Sequence, residues 1–387
     1  MIKEIEIEGF RCVEKLNMKT KKINLIVGRN NTGKSSLLYS LMVGFGYANG
    51  FTRAETKNFI NFGSKNCKIK IKLNDTVLTT ALYRDIEQLD NKPLRNNVAE
   101  KIMSVTDHVR DLLLKSVESR TKTKPSERMK VVEEIEKISA EIPTILSNSL
   151  IWVITEERKG KEKILLIKIF SPTFLPLISE YEYMLPYRYP LRIVLRRILK
   201  DDFLILKSSP KTSKFPPVKI YKGYRTELTE NPKLLAQIED YMKKVGIIQN
   251  LMRLESSFLI IKKKKELVEE PLDLLGDGIK ALLSIIEICL LSENGIALLE
   301  EPENHMHPGL ISEFVKFIIE NYKKFNVQFF ISTHSLDLIH EFLQYPEIKA
   351  DFQLVRMSRN AVIEAEFLSF DEAKEEEEKL KVDLRGL

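Results

Sequence analysis

The chain has 387 residues, of which 43% are hydrophobic and 30% are charged, so it is long enough for two or three structural units with large apolar cores. No run of about 18 uncharged apolar residues occurs and the N-terminus lacks a signal-type apolar stretch, so no membrane span or export is expected. Its three cysteines, Cys12, Cys67 and Cys289, are scattered, which argues against disulfides and a thiolate metal site and favours a reducing, cytoplasmic location.

The net charge of +6 is unevenly distributed along the chain. Between Arg188 and Lys265 there are 19 Lys or Arg and 7 Asp or Glu, whereas Asp371–Glu378 is acidic. An excess of positive charge of this size suits contact with a polyanion such as double-stranded DNA. A solvated basic surface without a partner is the other interpretation, and both stay open.

Residues 1–94 are predicted to hold several strands around one helix. Glu4–Glu8 alternates acidic and apolar residues, and Lys68–Lys72 alternates lysine and isoleucine, as half-buried strands do. Ile23–Val27 is a short apolar run typical of a buried strand, and Lys34–Phe45 has leucines at helical spacing.

Residues 95–148 change to a helical pattern with apolar residues at alternating spacings of three and four, which favours a hairpin of two helices with a coiled-coil-like stripe. The two sets are Val98, Ile102, Val105, Val109 and Leu112, and Val131, Ile135, Ile138 and Ile142. An ordinary helical pair packed on the core is the alternative interpretation.

Residues 149–270 are predicted to be a mixed, basic middle region. Ile151–Thr155 and Ile164–Phe170 are expected to form a strand hairpin around Glu156–Gly160, and Pro232–Met252 is expected to be a helix. In the first part of residues 271–387, helices such as Ile279–Leu291 alternate with strands, which indicates a parallel sheet in an α/β unit. The last part is predicted to be a strand pair followed by a charged helix.

The strongest chemical signal is a phosphate-binding loop between a predicted buried strand and a predicted helix. The pattern GxxxxGK[ST] is matched by Gly28, Arg29, Asn30, Asn31, Thr32, Gly33, Lys34 and Ser35, and Ser36 follows it. Its backbone N–H groups and the helix N-terminus suit phosphates. Lys34 is expected to reach the β- and γ-phosphates of ATP, and Ser35 is expected to bind Mg²⁺.

Two further polar clusters follow apolar runs that are typical of buried strands. Ile296–Leu299 ends in Glu300 and Glu301, and a later run ends in a cluster that contains His334. The carboxyl edge of an open α/β sheet is where ligands bind, so one carboxylate is expected to hold Mg²⁺ and the next to polarise the attacking water. His334 is placed to contact the γ-phosphate or that water.

A second glycine-rich helix start is formed by Leu275, Gly276, Asp277 and Gly278. Glycines before a helix make an anion site. Because the chain already has one phosphate loop, this second site is best explained if it serves the nucleotide of another subunit.

These four motifs, in this order, together with Ile5–Arg11 before the loop, resemble the ATP-binding-cassette heads of the SMC and RecF type. Among these the chain looks most like the overcoming-lysogenisation-defect (OLD)-like ATPases, on Leu275–Gly278, Glu301–Asn304 and His307–Pro308. The resemblance covers about residues 1–45 and 271–340. It implies an α/β fold of the P-loop NTPase head class, with an antiparallel β lobe and a helical, coiled-coil-like insertion.

The resemblance also implies a role for each matching position. Gly28–Ser36 is the Walker A loop, and Leu275–Gly278 is the signature motif that acts across a dimer of heads. Glu300 is the Walker B metal acid, Glu301 the catalytic base and His334 the switch histidine. Asn304–His307 lies in the D-loop region.

The chain departs from the family in three places. Glu300 replaces the usual Asp of the Walker B motif, and Mg²⁺ is strict about geometry, so slow turnover is an expectation. The Q-loop glutamine has no clear match, with Gln88 as one candidate. Residues 341–387 are too few for the Toprim nuclease domain of OLD nucleases.

The sequence therefore predicts an ATPase whose heads dimerise on ATP and Mg²⁺ and switch a partner, either DNA or a separate nuclease or effector subunit. Host defence or genome maintenance is the setting that the resemblance implies. Two alternatives remain: a nucleotide-gated scaffold that does not hydrolyse ATP, and a transport-type ATPase subunit, against which the form of Leu275–Gly278 argues.

Overall fold

The computed structural model describes residues 1–46, 58–84, 150–170, 204–206, 216–360, 362–378 and 383–385, with scattered positions between 87 and 140. Its strands belong to two large sheets and one small one. In chain order they are β1 (Glu4–Phe10), β2 (Val13–Lys19), β3 (Ile23–Val27), β4 (Asn66–Lys72), β5 (Val77–Tyr83), β6 (Leu150–Arg158), β7 (Lys161–Phe170), β8 (Leu204–Leu206), β9 (Val218–Tyr221), β10 (Leu251–Leu254), β11 (Phe258–Lys263), β12 (Glu266–Pro271), β13 (Ile296–Glu300), β14 (Gln328–Thr333), β15 (Phe352–Arg359) and β16 (Ile363–Ser369).

The helices of the described residues lie mainly in the last third of the chain. They are α1 (Lys34–Gly44), α2 (Pro232–Val245), α3 (Asp277–Leu291), α4 (Pro308–Asn321), α5 (Leu336–Leu343) and α6 (Phe370–Glu378). Short 3₁₀ turns at Leu272–Leu274 and Pro346–Ile348 precede α3 and β15.

The first large sheet is antiparallel, in the order β2-β1-β4-β5-β6-β7-β8. The second has the order β16-β15-β3-β14-β13-β9, in which β15, β3, β14, β13 and β9 run parallel and β16 pairs antiparallel with β15. Strands β10, β11 and β12 form the small sheet. The predicted α/β class with an antiparallel lobe is confirmed.

The parallel sheet is buried on both faces, as its uninterrupted apolar runs require. In β3, Ile26 faces the core shared with α1 and the antiparallel sheet, whereas Leu25 and Val27 face the core covered by α2, α3, α4 and α5. Helix α1 therefore lies between the two sheets. This position fixes the start of α1, at Lys34, beside the end of β3.

The segment predicted as a separate middle region contributes strands to both sheets. Strands β6 and β7 extend the antiparallel sheet beside β5, and β9 forms the edge of the parallel sheet beside β13.

Three boundaries differ from the sequence prediction. Glu156–Arg158 continues β6, because the turn consists only of Lys159 and Gly160, whose φ angles of 51° and 72° match strand twist. The predicted helix Pro232–Met252 is wrong beyond Val245. Gly246, with φ 72°, caps α2 in the left-handed conformation. Helix α3 begins at Asp277, two residues before the predicted Ile279.

Described positions between 92 and 115 and between 129 and 140 are helical. An ion pair of 2.6 Å between Arg110 and Glu136 joins the two groups of positions. Residues 116–128, which join the two groups, lie outside the described residues, so the hairpin stays a prediction. Gln88, the candidate Q-loop residue, also lies outside them. No helix within the described ranges has the length and apolarity needed to cross a membrane.

Candidate functional site

The ends of three adjacent parallel strands bring the predicted motifs to one edge of the sheet. Strand β14 lies between β3 and β13, with Thr333 opposite Val27 and Ser332 opposite Glu300. The phosphate loop follows β3, the acidic cluster follows β13, and His334 follows β14. Parallel strands end at the same edge, so residues far apart in sequence share one site.

The loop Gly28–Ser36 has the backbone of an anion-binding turn. Gly28, Asn31 and Gly33 have φ angles of 147°, 63° and 95°, in the region that favours glycine. A Cβ atom on Gly28 would lie 2.3 Å from the backbone oxygen of Met357 on β15, so only glycine fits. The Thr32 hydroxyl donates a hydrogen bond of 2.8 Å to the backbone oxygen of Arg29 within the loop.

Lys34 begins α1, and its side chain is buried inside the loop. Its ammonium donates to the backbone oxygens of Gly28 and Arg29 at 2.7 and 2.9 Å. Burial lowers the pKa of Lys34, and the carboxylates of Glu301, Glu303 and Glu300 act in the opposite direction. The electrostatic field of all three acids therefore reaches the one ammonium that the loop supplies.

Glu301 is held in an unusual backbone conformation at the end of β13. Its φ angle is 44°, and its N–H donates to the backbone oxygen of Ser332 at 2.9 Å. The Nδ1 atom of His334 lies 3.3 Å from Oε1 of Glu301, and the amide of Asn304 donates to Oε2 at 3.3 Å. Non-glycine residues with positive φ cluster at functional sites, where the surrounding structure imposes the conformation.

Glu303 is the buried acid of the cluster. Its Oε1 atom accepts hydrogen bonds from the Thr333 hydroxyl and, at 3.3 Å, from the backbone N–H of His334. Its Oε2 atom is buried and has no partner among the described residues. Burial raises the pKa of Glu303, and the hydrogen bonds partly oppose this shift.

Glu300 is tied to the first helix through Tyr39. The Tyr39 hydroxyl donates a hydrogen bond of 2.8 Å to Oε2 of Glu300. Ser35 is half-buried at the start of the same helix. The part of the chain that the structure describes holds no group of three or more His, Cys, Asp or Glu residues that could bind a metal by itself. A site with a hydroxyl and one carboxylate suits Mg²⁺, which takes few protein ligands and completes its shell with phosphates and water.

The glycine-rich turn Leu275–Gly278 lies at the start of α3. A Cβ atom on Gly278 would lie 2.7 Å from the backbone oxygen of His305, so Gly278 is packed inside its own chain. Around Gly276 no atom lies within 4 Å of such a Cβ position. Asp277 forms an ion pair of 2.7 Å with Lys280, and the bond to Lys280 lowers the pKa of Asp277. None of the hydrogen bonds among the described residues joins this turn to Gly28–Ser36.

A cavity of about 690 Å³ lies beside the phosphate loop, within the size range of small-molecule sites. Cys12 and Ile363 line it, and both also lie against Gly33 of the loop. Arg359 lines it too and donates to the backbone oxygen of Asn31 at 3.5 Å. The fully exposed Phe62 stands at its rim.

The family model of the AAA ATPase domain matches residues 1–339. The chain belongs to this family.

Two relatives and one solved structure illustrate the range of similarity. An ATP/GTP phosphatase of Helicobacter pylori is 22% identical over 355 residues, which is 88% of this chain and 86% of that protein. An uncharacterised protein of Methanocaldococcus jannaschii is 31% identical over 114 residues, 29% of this chain and 100% of that protein. The SMC head domain of Pyrococcus furiosus, solved with the C-terminal domain of ScpA, is 13% identical with a TM-score of 0.45, covering 98% of this chain and 99% of that one.

The structure brings three residues to the site to which the sequence patterns assigned no function. Glu303 is only two residues from Glu301, so its position in the acidic run was a signal. Tyr39 and Thr333 gave none: a tyrosine inside a helix and a threonine at the end of a strand are ordinary residues, and their partners are distant in sequence.

The buried carboxylate generates a prediction about stability and pH. Glu303 has a raised pKa in the folded chain, so its ionisation weakens folding as the pH rises from the ordinary Glu range through that raised pKa. Glu303→Gln keeps the oxygen that accepts from Thr333 and removes the charge. At pH 8 we expect the variant to be more stable by on the order of 1 kcal/mol, because a neutral amide costs less to bury at this position than a carboxylate does.

Urea unfolding at pH 8, 6 and 4 measures this effect. The gain should shrink as the pH falls, because both the folded and the unfolded chain then carry the proton. Glu293→Gln, at an exposed position, is the control. If Glu303→Gln and the unaltered chain are equally stable at pH 8, burial of the charged Glu303 side chain does not destabilise the fold.

Proposed function

We propose that the chain binds ATP with Mg²⁺ and hydrolyses it at the edge formed by β3, β14 and β13. The observation that carries this proposal is the pairing of His334 Nδ1 with Glu301 Oε1 at 3.3 Å, at the same sheet edge as the buried ammonium of Lys34. A phosphate loop alone binds nucleotide. A carboxylate oriented by a histidine beside that loop adds a group that can accept a proton from water.

The roles follow from the contacts of each side chain. Lys34 would exchange its bonds to Gly28 and Arg29 for phosphate oxygens. Ser35 and Glu300 would hold Mg²⁺, which neutralises charge on the phosphates when it is bound. Glu301 would accept a proton as water attacks the γ-phosphorus. The bond to the bridging oxygen then breaks, and ADP leaves. His334 would orient the water and Glu301.

We propose further that two chains pair, each presenting Leu275–Gly278 to the nucleotide of the other. The open surface at Gly276 supports this, because no atom of the same chain obstructs the approach of a second chain to that position.

The paired heads would switch a DNA- or effector-bound partner, such as a separate nuclease subunit. The OLD-like residues Leu275–Gly278 and Glu301–Asn304 support this assignment, and host defence or genome maintenance is the setting it suggests. On the described surface the four exposed lysines Lys262–Lys265, at the β11–β12 turn, support contact with a polyanion.

Glu301→Gln tests the hydrolytic function. The amide keeps the shape of the side chain and removes the base, so we expect ATP binding to persist while phosphate release falls by at least ~100-fold, as for loss of a general base. Lys34→Ala is the matched binding variant and should weaken ATP binding at least ~10-fold, a loss of about 1.4 kcal/mol. Normal phosphate release by Glu301→Gln would show that Glu301 is not the general base. No release by the unaltered chain, with ATP still bound, would favour the non-hydrolysing scaffold.

Gly276→Arg tests the pairing of heads. Gly278 is unsuitable for this purpose, because any side chain there collides with His305 inside the same chain. Gly276 is open and has an ordinary φ of −59°, so arginine should leave the single chain folded and its ATP affinity within about twofold. Phosphate release should fall severely. Glu301→Gln should accumulate an ATP-dependent dimer, visible as a larger species in light scattering, and adding Gly276→Arg to it should abolish that dimer.

The control for Gly276→Arg is Glu293→Arg, at the opposite end of α3. It adds the same side chain at an exposed position and should change neither turnover nor dimer formation. A normal rate of hydrolysis by Gly276→Arg would contradict the two-headed mechanism.

Binding to a short DNA duplex tests the partner. Neutralised phosphates release counterions, so affinity should fall linearly with the logarithm of salt concentration. Replacing Lys262, Lys264 and Lys265 by alanine should reduce that slope by about 1 to 3. Replacing the exposed Lys323 and Lys324 is the control. An absence of binding at low salt with ATP present would remove DNA as a partner.

A further inference from the structure

The strand that ends beside Glu300 delivers a residue with no assigned role. Strand β9 is the parallel neighbour of β13, and its last residue, Tyr221, pairs with Leu299, the residue before Glu300. Lys222 therefore leaves the sheet at the same edge as the acids. The field of Glu303 reaches this strand end: burial raises the pKa of Tyr221 to about 12, and the charge of Glu303 adds to the shift.

Tyr39 connects Lys222 to the metal acid. The ammonium of Lys222 lies 4.2 Å from the centroid of the Tyr39 ring, and the Tyr39 hydroxyl donates to Glu300. The guanidinium of Arg11 lies 4.5 Å from the same centroid. An ammonium over an aromatic face is attracted by the negative face of the ring. One side chain of α1 thus contacts both a cation and a carboxylate.

The chemistry of the two groups separates their roles. An ammonium has three donors and no lone pair, so Lys222 can bind phosphate oxygens but not Mg²⁺. The three acids at this edge, together with a polyphosphate, would carry more negative charge than Lys34 and one Mg²⁺ offset. Lys222 is exposed on a flexible stem, which lets its ammonium move towards a ligand at that edge.

We propose that Lys222 is a second phosphate-binding cation of the site, selective for the γ-phosphate, and that Tyr39 is the positioning residue that aligns Lys222 with Glu300. In the proposed hydrolysis the terminal γ-phosphate would face Glu300 and Glu301, and Lys222 leaves the sheet beside them. The β-phosphate would stay on the loop itself. The inference rests on the proposed ATP function, because it assigns a further contact to that nucleotide.

Calorimetric titration of the full chain with ATP and with ADP, both with Mg²⁺, tests the role of Lys222. Lys222→Gln should weaken ATP binding by about tenfold and ADP binding by less than about twofold, because ADP lacks the γ-phosphate. Lys34→Ala should weaken both. The matched control is Lys219→Gln, an exposed lysine of the same strand three residues earlier, which should change neither.

Tyr39 is tested by two substitutions in the same assay and by the Mg²⁺ dependence of phosphate release. Tyr39→Phe keeps the ring and removes the bond to Glu300, so it should raise the Mg²⁺ concentration needed for half-maximal release while ATP binding in EDTA is unchanged. Tyr39→Leu removes the ring as well and should also reproduce the selective loss of ATP affinity seen in Lys222→Gln.

Two results would overturn the inference: equal losses of ATP and ADP affinity in Lys222→Gln, or no loss of either. An unaltered chain that binds neither nucleotide would instead reject the proposed function, and this inference with it. If Tyr39→Phe and Tyr39→Leu both keep the Mg²⁺ requirement and the ATP affinity of the unaltered chain, Tyr39 is not the positioning residue.

Discussion

The parallel pairing of β3, β14 and β13 is the constraint on which the site depends. Backbone hydrogen bonds fix Val27 opposite Thr333 and Ser332 opposite Glu300, so the phosphate loop, the acids and His334 leave the sheet at one edge. A shift by one residue in this register would turn every side chain of the shifted strand to the opposite core, where its shape does not match the packing. The residues of the site are therefore held in position by the packing of the sheet on both of its faces.

The packing of helix α1 fixes the side chains that it contributes to the site. It lies between the two sheets, with Leu37, Leu38 and Leu41 in the core beneath the antiparallel lobe. Its start presents Lys34 and Ser35, and the Tyr39 hydroxyl, one and a half turns later, reaches Glu300. A helix packed on two sides cannot rotate or slide freely. The loop leads into this helix and Tyr39 lies on it, so one rigid element holds both the loop end and the side chain that bonds to Glu300. Such rigidity suits a site that needs fixed geometry.

The rigid surroundings keep three carboxylates close together at the end of β13. Glu300, Glu301 and Glu303 all act on Lys34, and one of them is buried with an unpaired oxygen. Such an arrangement costs folding free energy and persists only because the surrounding strands impose it. Under the proposed function, Mg²⁺ would supply positive charge that offsets part of this crowding. Hydrophobic packing elsewhere in the fold offsets the electrostatic cost.

The sequence by itself determined the phosphate loop, the acidic strand end and the histidine cluster, because each is a local pattern with a fixed spacing. It also determined the α/β class, since uninterrupted apolar runs such as Ile296–Leu299 require a sheet buried on both faces. Only the tertiary structure decided that β9 lies beside β13, that Tyr39 bonds to Glu300, and that Gly278 is packed while Gly276 is open. These contacts join residues up to 261 positions apart. No local spacing encodes such a contact, because strand order and packing set it.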